Sequence, residues 1–486
     1  MPLIFDQSKS GRRGVRPPSG DVPSADELPA QYRRQHPPAL CEISELDTVR
    51  HFTELSRRNF GLDSGFYPLG SCTMKYNPKI LEKVAALPGF SNLHPLLPQL
   101  RQGGLLVQGA LQVIYDLEQL LNELTGMAGT TLQPMAGAHG ELTGMMIVAA
   151  YHRDRGNQKN EVLIPDESHG TNPSSAAVAG YSTVPVDTDA KSGMIDLNDL
   201  ERKIGGQTAA VMLTNPNTLG IFNRDIQELV DIAHRHDALV YYDGANFNAV
   251  MGRFRPGDAG IDLVHVNLHK TFATPHGSGG PGAGPVGVAA RLLDYLPVSR
   301  VVKRRDNTYI LDYDYPKSIG YIAPFYGNFG VCLKACAYIL MLGGEGLRQA
   351  SDHAVLNANY LMNQLKDIYE LPFKRVCMHE FVLSARRMQN EHNIRAVDIA
   401  KGLIDEGFHP PTVYFPLIVP EALMIEPTET ESKETLDRFV AAMRRIAGKA
   451  KEKPESLRQA PASTPVGRPD EVRAAREMDV ATLPEP

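Results

Sequence analysis

The stretch ALVYYDGANFNAV (residues 238–250), followed by DLVHVNLHKTFATPHGSGGPGAG (residues 262–284), decides the fold of this chain. Each part contains a β-rich apolar run that delivers polar side chains at its carboxyl end: Asp243 in the first, and His269 and Lys270 in the second. The carboxyl ends of parallel strands meet at one edge of a sheet. We therefore expect the acid and the amine to leave the sheet on the same side.

An acid and an amine placed in this way are what pyridoxal 5'-phosphate (PLP) requires. The lysine forms a Schiff base with the aldehyde, and the carboxylate keeps the pyridine nitrogen protonated so that the ring can accept electrons. Either residue alone would more often be a turn residue or a solvated side chain. The glycines between residues 277 and 282 allow a sharp turn close to the cofactor.

The same glycines also match the dinucleotide pattern G-x-G-x-x-G, as GSGGPG at residues 277–282. That pattern requires a helix to start at the glycines. Pro281 and Pro285 prevent a helix from starting there, because proline lacks the backbone N–H and clashes with the preceding turn. We therefore reject a dinucleotide site.

The segment LQPMAGAHGELTG (residues 132–144) is predicted to hold the phosphate. Its small residues precede an apolar helical run, so Gly137, Ala138 and His139 would present bare backbone N–H groups at a helix start, which suits a phosphate. An ordinary glycine-bearing loop is the alternative, and the Asp243 and Lys270 pair favours the phosphate site. His139 is expected to stack on the face of the pyridine.

Strands and helices alternate through the middle of the chain. Apolar runs at residues 161–165, 182–187, 209–215 and 239–243 are separated by helical patterns after residue 172, at 197–204 and at 226–236. This repetition predicts an α/β fold with a large, doubly wound, mostly parallel sheet. Four strand ends then contribute polar side chains to one crevice: Asp166, Ser168, His169, Thr214, Asn215, Asp243, His269 and Lys270.

The remaining segments predict four regions. Residues 1–60 are predicted to form an N-terminal arm that either wraps a partner chain or is disordered. Residues 61–345 are predicted to form the large domain and residues 346–455 a small α+β C-terminal domain. Residues 456–486 are predicted to form a tail. The small domain is expected to have strands at 381–385 and 413–420 and helices at 394–406 and 433–449. Residues 421–432 read as a helix cap or as a rim of the site.

Composition excludes several classes of protein. The formal charge of −6 over 486 residues gives no nucleic-acid or membrane footprint, and no apolar run approaches the roughly 20 residues that span a bilayer. The five cysteines are odd in number and scattered, with no metal spacing, which predicts a reduced, cytoplasmic compartment and no metal site. Cys332 and Cys336 share one helix face and are expected in the core.

Four motifs carry a family resemblance: PLGSCTMKYNP (68–78), LQPMAGAHGE (132–141), YYDGAN (241–246) and NLHKTFATPHGSGGPGAGP (267–285). They resemble the glycine cleavage system P-protein family, and within it subunit 2 of the two-subunit glycine dehydrogenase (decarboxylating). The likeness runs from about residue 30 to about residue 450, and the lysine motif is its most specific part. It implies a PLP-dependent fold type I, aspartate aminotransferase-like, with a small C-terminal domain.

The resemblance also implies a role for individual residues. Lys270 would form the Schiff base and Asp243 would hold the pyridine nitrogen, while His169 would either handle protons or only pack beside the cofactor. The other cofactor contacts fall into three groups: Ala136, Gly137, Ala138, His269 and Thr271 for the phosphate, His139 for the ring face, and Thr214, Asn215 and Asn246 for the ring hydroxyl. No arginine is assigned to the substrate carboxylate.

The reaction implied by the resemblance is decarboxylation of glycine, with transfer of the aminomethyl group to the lipoyl disulfide of the carrier H-protein. The expected partners are a paralogous subunit 1 without the lysine, in an α2β2 assembly, and the T-protein and L-protein of the same system. Another PLP enzyme, such as an aminotransferase or a cysteine desulfurase, is an alternative, because it would use an acid and a lysine in the same roles. A non-catalytic structural subunit would lack the lysine, and Lys270 is present.

Overall fold

The structure is a computed structural model that describes residues 2–16, 18–21, 29–36, 38, 40–100, 103–277 and 282–478. The strands are β1 (Gly129–Thr131), β2 (Glu161–Pro165), β3 (Ser182–Val186), β4 (Thr208–Thr214), β5 (Leu239–Gly244), β6 (Leu263–Val266), β7 (Val286–Val288), β8 (Arg300–Lys303), β9 (Tyr309–Asp312), β10 (Phe381–Ser384), β11 (Thr412–Val413) and β12 (Ala422–Ile425). The helices are α1 (Glu45–Arg57), α2 (Lys79–Ala85), α3 (Pro88–Ser91), α4 (Gln108–Thr125), α5 (Gly137–Asp154), α6 (Thr171–Val178), α7 (Leu197–Lys203), α8 (Ile226–Arg235), α9 (Leu268–Thr271), α10 (Phe329–Leu365), α11 (Arg386–His392), α12 (Ala396–Asp405), α13 (Lys433–Glu452), α14 (Pro454–Arg458) and α15 (Glu471–Arg476).

The chain divides into two compact units, one of residues 1–64 and 468–486 and the other of residues 65–467. In the first unit, α1 and α15 each begin at a capping side chain: Ser44 accepts from the Asp47 N–H, and Asp470 accepts from the Arg473 N–H. Such caps satisfy an amide that has no partner inside the helix. Parts of the predicted arm and of the predicted tail, namely residues 22–28 and 479–486, lie outside the described residues.

A seven-stranded sheet forms the centre of the larger unit, in the order β1-β7-β6-β5-β4-β2-β3. Strands β6, β5, β4, β2 and β3 run parallel to one another, whereas β7 is antiparallel to both β6 and β1. The predicted α/β fold with a mostly parallel sheet is confirmed, and the predicted strands agree with β2 to β5 to within one residue at each end.

Both faces of this sheet are buried. Along β4, Val211 and Leu213 pack into one apolar cluster, and Ala210 and Met212 pack into another. All seven residues of β4 are buried, as expected for a parallel strand with helices on both sides. Burying each large apolar side chain contributes roughly 1.5 to 3 kcal/mol. The sheet is therefore rigid, and so are the strand ends that carry the site.

Helix α10 connects the seven-stranded sheet with the C-terminal residues of the same unit. It bends at Gly343, whose φ is +61°, and the predicted domain boundary at 345/346 falls just after the bend. Cys332 and Cys336 are buried in the apolar cluster of the large sheet, as predicted. Among the described residues, α10 is the one helix whose length and composition would let it cross a membrane. Buried side chains line it on both sides of the bend.

The three-stranded sheet, in the order β10-β12-β11, differs from the sequence prediction. The predicted strand at 413–420 is wrong beyond Val413, because Pro416 and Pro420 have no N–H to donate to a neighbouring strand. The central strand is instead β12, within the segment read as a cap or rim. That segment also contains a cap, since Ser432 accepts from the Thr435 N–H at the start of α13.

Candidate active site

The acid and the amine lie at the carboxyl ends of the adjacent parallel strands β5 and β6. Asp243 is 2% exposed. Its Oδ1 accepts from the Ala245 N–H at 2.8 Å, and its Oδ2 accepts from Asn172 Nδ2 at 3.3 Å and from Thr214 Oγ1 at 3.4 Å. Lys270, on α9, is half-buried, and its Nζ has no hydrogen bond or ion pair within the described part of the chain. The carboxylate is thus held in place while the amine is free.

Lys270 lies near a group of ionisable side chains, which are buried or partly buried apart from the exposed His169. Burial is the largest cause of the pKa shift of each group; the charge of Lys270 adds to the lowering of the histidine pKa values and opposes the raising of the glutamate and cysteine pKa values. These groups are Cys72, Glu141, His169, His265, His269, His276, His379, Glu380 and Glu426. They come from both the N-terminal and the C-terminal parts of the larger unit.

Two of these neighbours lie close to Asp243 without neutralising it. The carboxylate of Glu141 and the ring of His265 each place a polar atom within 4.8 Å of the Asp243 carboxylate. Burial lowers the pKa of His265, while burial and then the charge of Asp243 raise the pKa of Glu141 to about 8. Near neutral pH the imidazole is therefore uncharged and the Glu141 carboxyl is protonated. Asp243 remains available to a cation that enters the site.

Helix α5 begins at the predicted phosphate segment and has no capping side chain at Ala136. The N–H groups of Gly137, Ala138 and His139 have no hydrogen-bond partner among the residues described. The helix start lies against the end of β6, since a Cβ on Gly137 would come 2.6 Å from Asn267 Oδ1. Three N–H groups without a partner in the described residues, at the start of an 18-residue helix, are an arrangement that suits an anion.

Several polar side chains follow β6, and among them Asn267 lies against this helix start. Thr271 Oγ1, Thr274 Oγ1 and Asn267 Oδ1 are all buried without a partner in the described residues. His269 Nδ1 accepts from the Ala283 N–H at 3.3 Å, and burial followed by the charge of Lys270 lowers the pKa of His269 to about 3. Buried polar atoms without a partner are rare in proteins. Their number here fits a polar ligand.

The residues predicted for the pyridine ring lie on α5 and at or just after the carboxyl ends of the strands β4 and β5, and among them Thr214 donates to Asp243. His139 Nδ1 accepts from the Met135 N–H at 3.2 Å, and burial lowers its pKa, which leaves a neutral ring. Asn215 Oδ1 accepts from the Asn223 N–H at 2.9 Å. Asn215 Nδ2 and Asn246 Oδ1 are buried and unpartnered in the described chain. Stacking by His139 stays a prediction.

His169 belongs to a polar chain that leads towards Asp243. Its Nδ1 lies 2.9 Å from Thr171 Oγ1, which donates to Glu141 Oε1 at 2.9 Å. The ring also meets Phe415 edge to face, with 5.8 Å between the ring centroids. Desolvation and then the charge of Lys270 lower the pKa of His169. The geometry is compatible with both of the predicted roles, proton transfer and packing.

Sequence reasoning missed a pair of buried glutamates that hold the 68–78 loop. Glu380 Oε2 accepts from the Ser71 N–H at 2.6 Å, and Glu426 accepts from both the N–H and the Oγ1 of Thr73, at 2.9 and 2.6 Å. Ser71 and Thr73 both have a positive φ, of 65° and 49°, a strained conformation that only surrounding contacts maintain. Cys72 lies between them, beside Lys270.

The two carboxyls and a neutral histidine are all fully buried. His379 Nε2 lies 3.9 Å from Glu380 Oε1 and 3.8 Å from Glu426 Oε1. Burial, then the charge of Lys270, lowers the pKa of His379 to about 3. Burial raises the pKa of Glu426 to about 7 and that of Glu380 well above its usual range. An acid directly beside a short apolar run, as in HEFVLS and ALMIEP, is the sequence signal that could have found them.

Some of the predicted glycine turn cannot be placed, because residues 278–281 lie outside the described residues. The remaining geometry has an acid, a free amine, an uncapped helix start and unpartnered polar atoms, which together suit PLP. The fold places the chain in the fold type I, aminotransferase-like class of proteins, whose members are PLP-dependent. Residues 99–251 match the DegT/DnrJ/EryC1/StrS aminotransferase family, and residues 350–463 match the glycine dehydrogenase C-terminal domain.

Relatives identify the family more narrowly. A Listeria innocua protein is 56% identical over 98% of this chain and 97% of its own length, and a Bacillus licheniformis protein is 55% identical over the same shares. Both are named glycine dehydrogenase (decarboxylating) subunit 2, and the chain belongs to this family. A solved glycine decarboxylase (P-protein) of the glycine cleavage system shares the fold, with a TM-score of 0.68 at 19% identity over 88% of this chain and 92% of that one.

Proposed function

We propose that this chain is the PLP-binding subunit that decarboxylates glycine and passes the aminomethyl group to a lipoyl disulfide. The observation that supports this most directly is that the buried carboxylate of Asp243 and the amine of Lys270 follow the carboxyl ends of the adjacent parallel strands β5 and β6. The names of the relatives support the choice of glycine among the substrates of fold type I enzymes.

PLP, when bound, supplies the electron sink that allows the bond between the α-carbon and the carboxylate of glycine to break. Lys270 would provide the amine for the aldehyde, and Asp243 would keep the proton on the pyridine nitrogen. The N–H groups at the start of α5 and the hydroxyl of Thr271 would hold the phosphate. His269 and His276, whose pKa values burial lowers to about 3 and about 4, stay neutral beside Lys270.

Transfer of the aminomethyl group to the lipoyl disulfide breaks two bonds and forms two. Glycine loses carbon dioxide, its remaining carbon bonds to one sulfur of the lipoyl disulfide, the sulfur–sulfur bond breaks, and the other sulfur takes up a proton as a thiol. Water would instead protonate the carbon and yield methylamine. The crevice must therefore admit a long, thin lipoyl arm and exclude bulk solvent.

The proposed partners follow from this reaction. They are glycine, the lipoylated H-protein, a paralogous subunit 1 in an α2β2 assembly, and the T-protein and L-protein that complete the system, all in the cytoplasm. The five cysteines are all free, which agrees with a reducing compartment. The hypothesis further holds that this chain alone is poorly active. Full activity without any partner would contradict the assembly.

The cofactor proposal is tested by Lys270→Ala, with Lys451→Ala as a matched surface control. We expect the control to show the visible absorbance band of lysine-bound PLP and a lysine adduct after borohydride reduction. Lys270→Ala should show neither, because Lys270 is the lysine that follows β6 and its Nζ has no partner among the described residues, whereas the nearby Lys75 ammonium is paired with Glu429. A reducible lysine adduct that persists in Lys270→Ala would overturn the assignment.

The lipoyl proposal is tested separately, by exchange of labelled bicarbonate into the carboxyl group of glycine. The assay uses the complete complex, with lipoylated carrier, with unlipoylated carrier and without carrier. We expect exchange to be much faster with the lipoylated carrier. Equal rates under all three conditions would reject the lipoyl acceptor while leaving the PLP assignment intact.

A further inference from the structure

A second lysine lies buried behind Lys270. Lys75, in the loop at residues 68–78, is 1% exposed, although lysine is almost never fully buried unless it is paired. Its Nζ donates to Glu429 Oε1 at 2.8 Å, to Asn248 Oδ1 at 2.8 Å and to the Thr271 carbonyl at 2.6 Å. The hydroxyl of Tyr338 lies 3.3 Å away.

Three of these residues close a ring of hydrogen bonds. Lys75 donates to Asn248 and to Glu429, and Asn248 Nδ2 donates to Glu429 Oε2 at 3.1 Å. Burial alone would lower the pKa of Lys75, but Glu429 and Tyr338 outweigh it, so its pKa is raised and the ammonium stays charged. The ammonium also lies over the Tyr338 ring, 5.1 Å from its centroid. The charge is paired and satisfied, as a buried charge must be.

Through Lys75, this ring of hydrogen bonds joins the segments that follow strands β5 and β6. Asn248 lies in the 3₁₀ turn Phe247–Ala249, four residues after the end of β5. Thr271 is the last residue of α9, next to Lys270. One ammonium therefore holds both the segment after Asp243 and the segment that carries Lys270.

The backbone after Lys270 needs such support. Ala273 has a φ of +53°, a left-handed conformation that costs an alanine energy and persists only when its surroundings enforce it. The Thr271 carbonyl that Lys75 binds lies two residues before it. The same contact orients Thr271, whose buried Oγ1 has no partner within the described residues.

We propose that Lys75, Asn248 and Glu429 form a positioning triad for the Lys270 site: the Lys75 ammonium fixes the Thr271 carbonyl and thereby sets the placement of the Lys270 amine and the Thr271 hydroxyl. The triad touches neither substrate nor cofactor. It acts through the backbone of α9. This inference rests on the proposed PLP function for its cofactor readout, but it also has a readout that needs no cofactor.

The test compares Lys75→Met, the double variant Lys75→Met with Glu429→Gln, and Lys79→Met as a surface control. Lys75→Met removes the hydrogen bond to Thr271 and also leaves Glu429 buried with an unpaired charge, which should lower the thermal midpoint. The double variant removes that charge, so its midpoint should recover. The Thr271 carbonyl lacks its donor in both.

Two measurements then separate positioning from stability. We expect the PLP dissociation constant to rise about tenfold in Lys75→Met and to stay raised in the double variant, since a hydrogen bond from a charged group is worth about one decade. In protein without cofactor, acetylation of Lys270, followed by peptide mass spectrometry, should proceed several times faster in both variants. The Lys79→Met control should match the wild type.

The outcomes distinguish failure of the positioning triad from failure of the proposed PLP function. If cofactor affinity and Lys270 acetylation return to wild-type values together with the thermal midpoint in the double variant, the triad is only structural and the proposal fails. If the wild type binds no PLP, the proposed function fails instead. The acetylation rates then still test the triad, and equal rates in all proteins would reject it.

Discussion

Replacing Glu426 by glutamine should remove a pH dependence of stability that the buried carboxyl imposes. The carboxyl is fully buried, and burial raises its pKa to about 7 from an ordinary value of 4.5. Glutamine has the same shape, and its carbonyl can still accept from the Thr73 N–H while its amide faces the Thr73 hydroxyl. The substitution therefore changes the charge and keeps the packing.

The direction in which stability changes with pH follows from the number of protons that the folded and unfolded states bind. Between its unfolded pKa and its folded pKa, Glu426 holds a proton in the folded protein that the unfolded chain releases. Stability falls with rising pH wherever the folded state binds more protons. The contribution is thus fully present below the unfolded pKa of 4.5 and is lost as pH rises through about 7.

The magnitude comes from the separation of the two pKa values. From 4.5 to about 7 is a difference of about 2.5, and each pKa unit corresponds to about 1.36 kcal/mol, which makes about 3 kcal/mol. Glu141 and Glu167 are buried acids that are common to both proteins and cancel in the comparison. Glu380 does not cancel, because the charge of Glu426 helps to raise the pKa of Glu380, and its loss in Glu426→Gln adds to the gain in stability. From about pH 4 to about pH 8, the stability of Glu426→Gln relative to wild type should rise by about 3 kcal/mol.

The assay is urea unfolding of wild type, Glu426→Gln and Glu452→Gln across that pH range. Glu452 is an exposed residue at the end of α13, and its variant should follow the wild type at every pH. A free energy of unfolding that changes with pH equally in Glu426→Gln and wild type would show that the carboxyl does not retain its proton on folding.

Two further substitutions test the core of the site. Asp243→Asn should lower the rate of glycine decarboxylation by at least about a hundredfold, since an amide cannot hold the pyridinium proton; wild-type rates of bicarbonate exchange would disprove the role. Gly144→Ala should cost about 1 to 3 kcal/mol by overpacking, because the new Cβ would come 2.1 Å from Tyr241 Cε2. Gly448→Ala, in a helix with open space around the glycine, is the control, and equal thermal midpoints in the two variants would contradict the overpacking.

Local patterns predicted the elements around the site well. The strands β2 to β5 and the helices between them follow from apolar runs and helical periodicity, which depend only on neighbouring residues. The helix start at Gly137 was also predictable, because small residues precede an apolar helical run. The domain boundary and the individual cofactor contacts stay predictions.

Failures of the sequence analysis share one physical cause. Strand β12 is only four residues long, and its central place depends on pairing with β10 and β11 rather than on its own pattern. The prolines at 416 and 420 interrupt the run that looked more strand-like. Short strands are specified by their partners, and sequence periodicity does not identify those partners.

By itself, the sequence determined that an acid and a lysine follow two apolar strands of an α/β chain and leave the sheet at the same edge. This follows because strand and helix periods are local properties, and because parallel strands place their carboxyl ends together. Only the tertiary structure decided that Lys75 meets Asn248, Thr271 and Glu429 behind Lys270, and that Glu380 and Glu426 hold the strained loop around Cys72. These contacts join residues 173 to 354 positions apart, and no local pattern records which distant side chains packing will bring together.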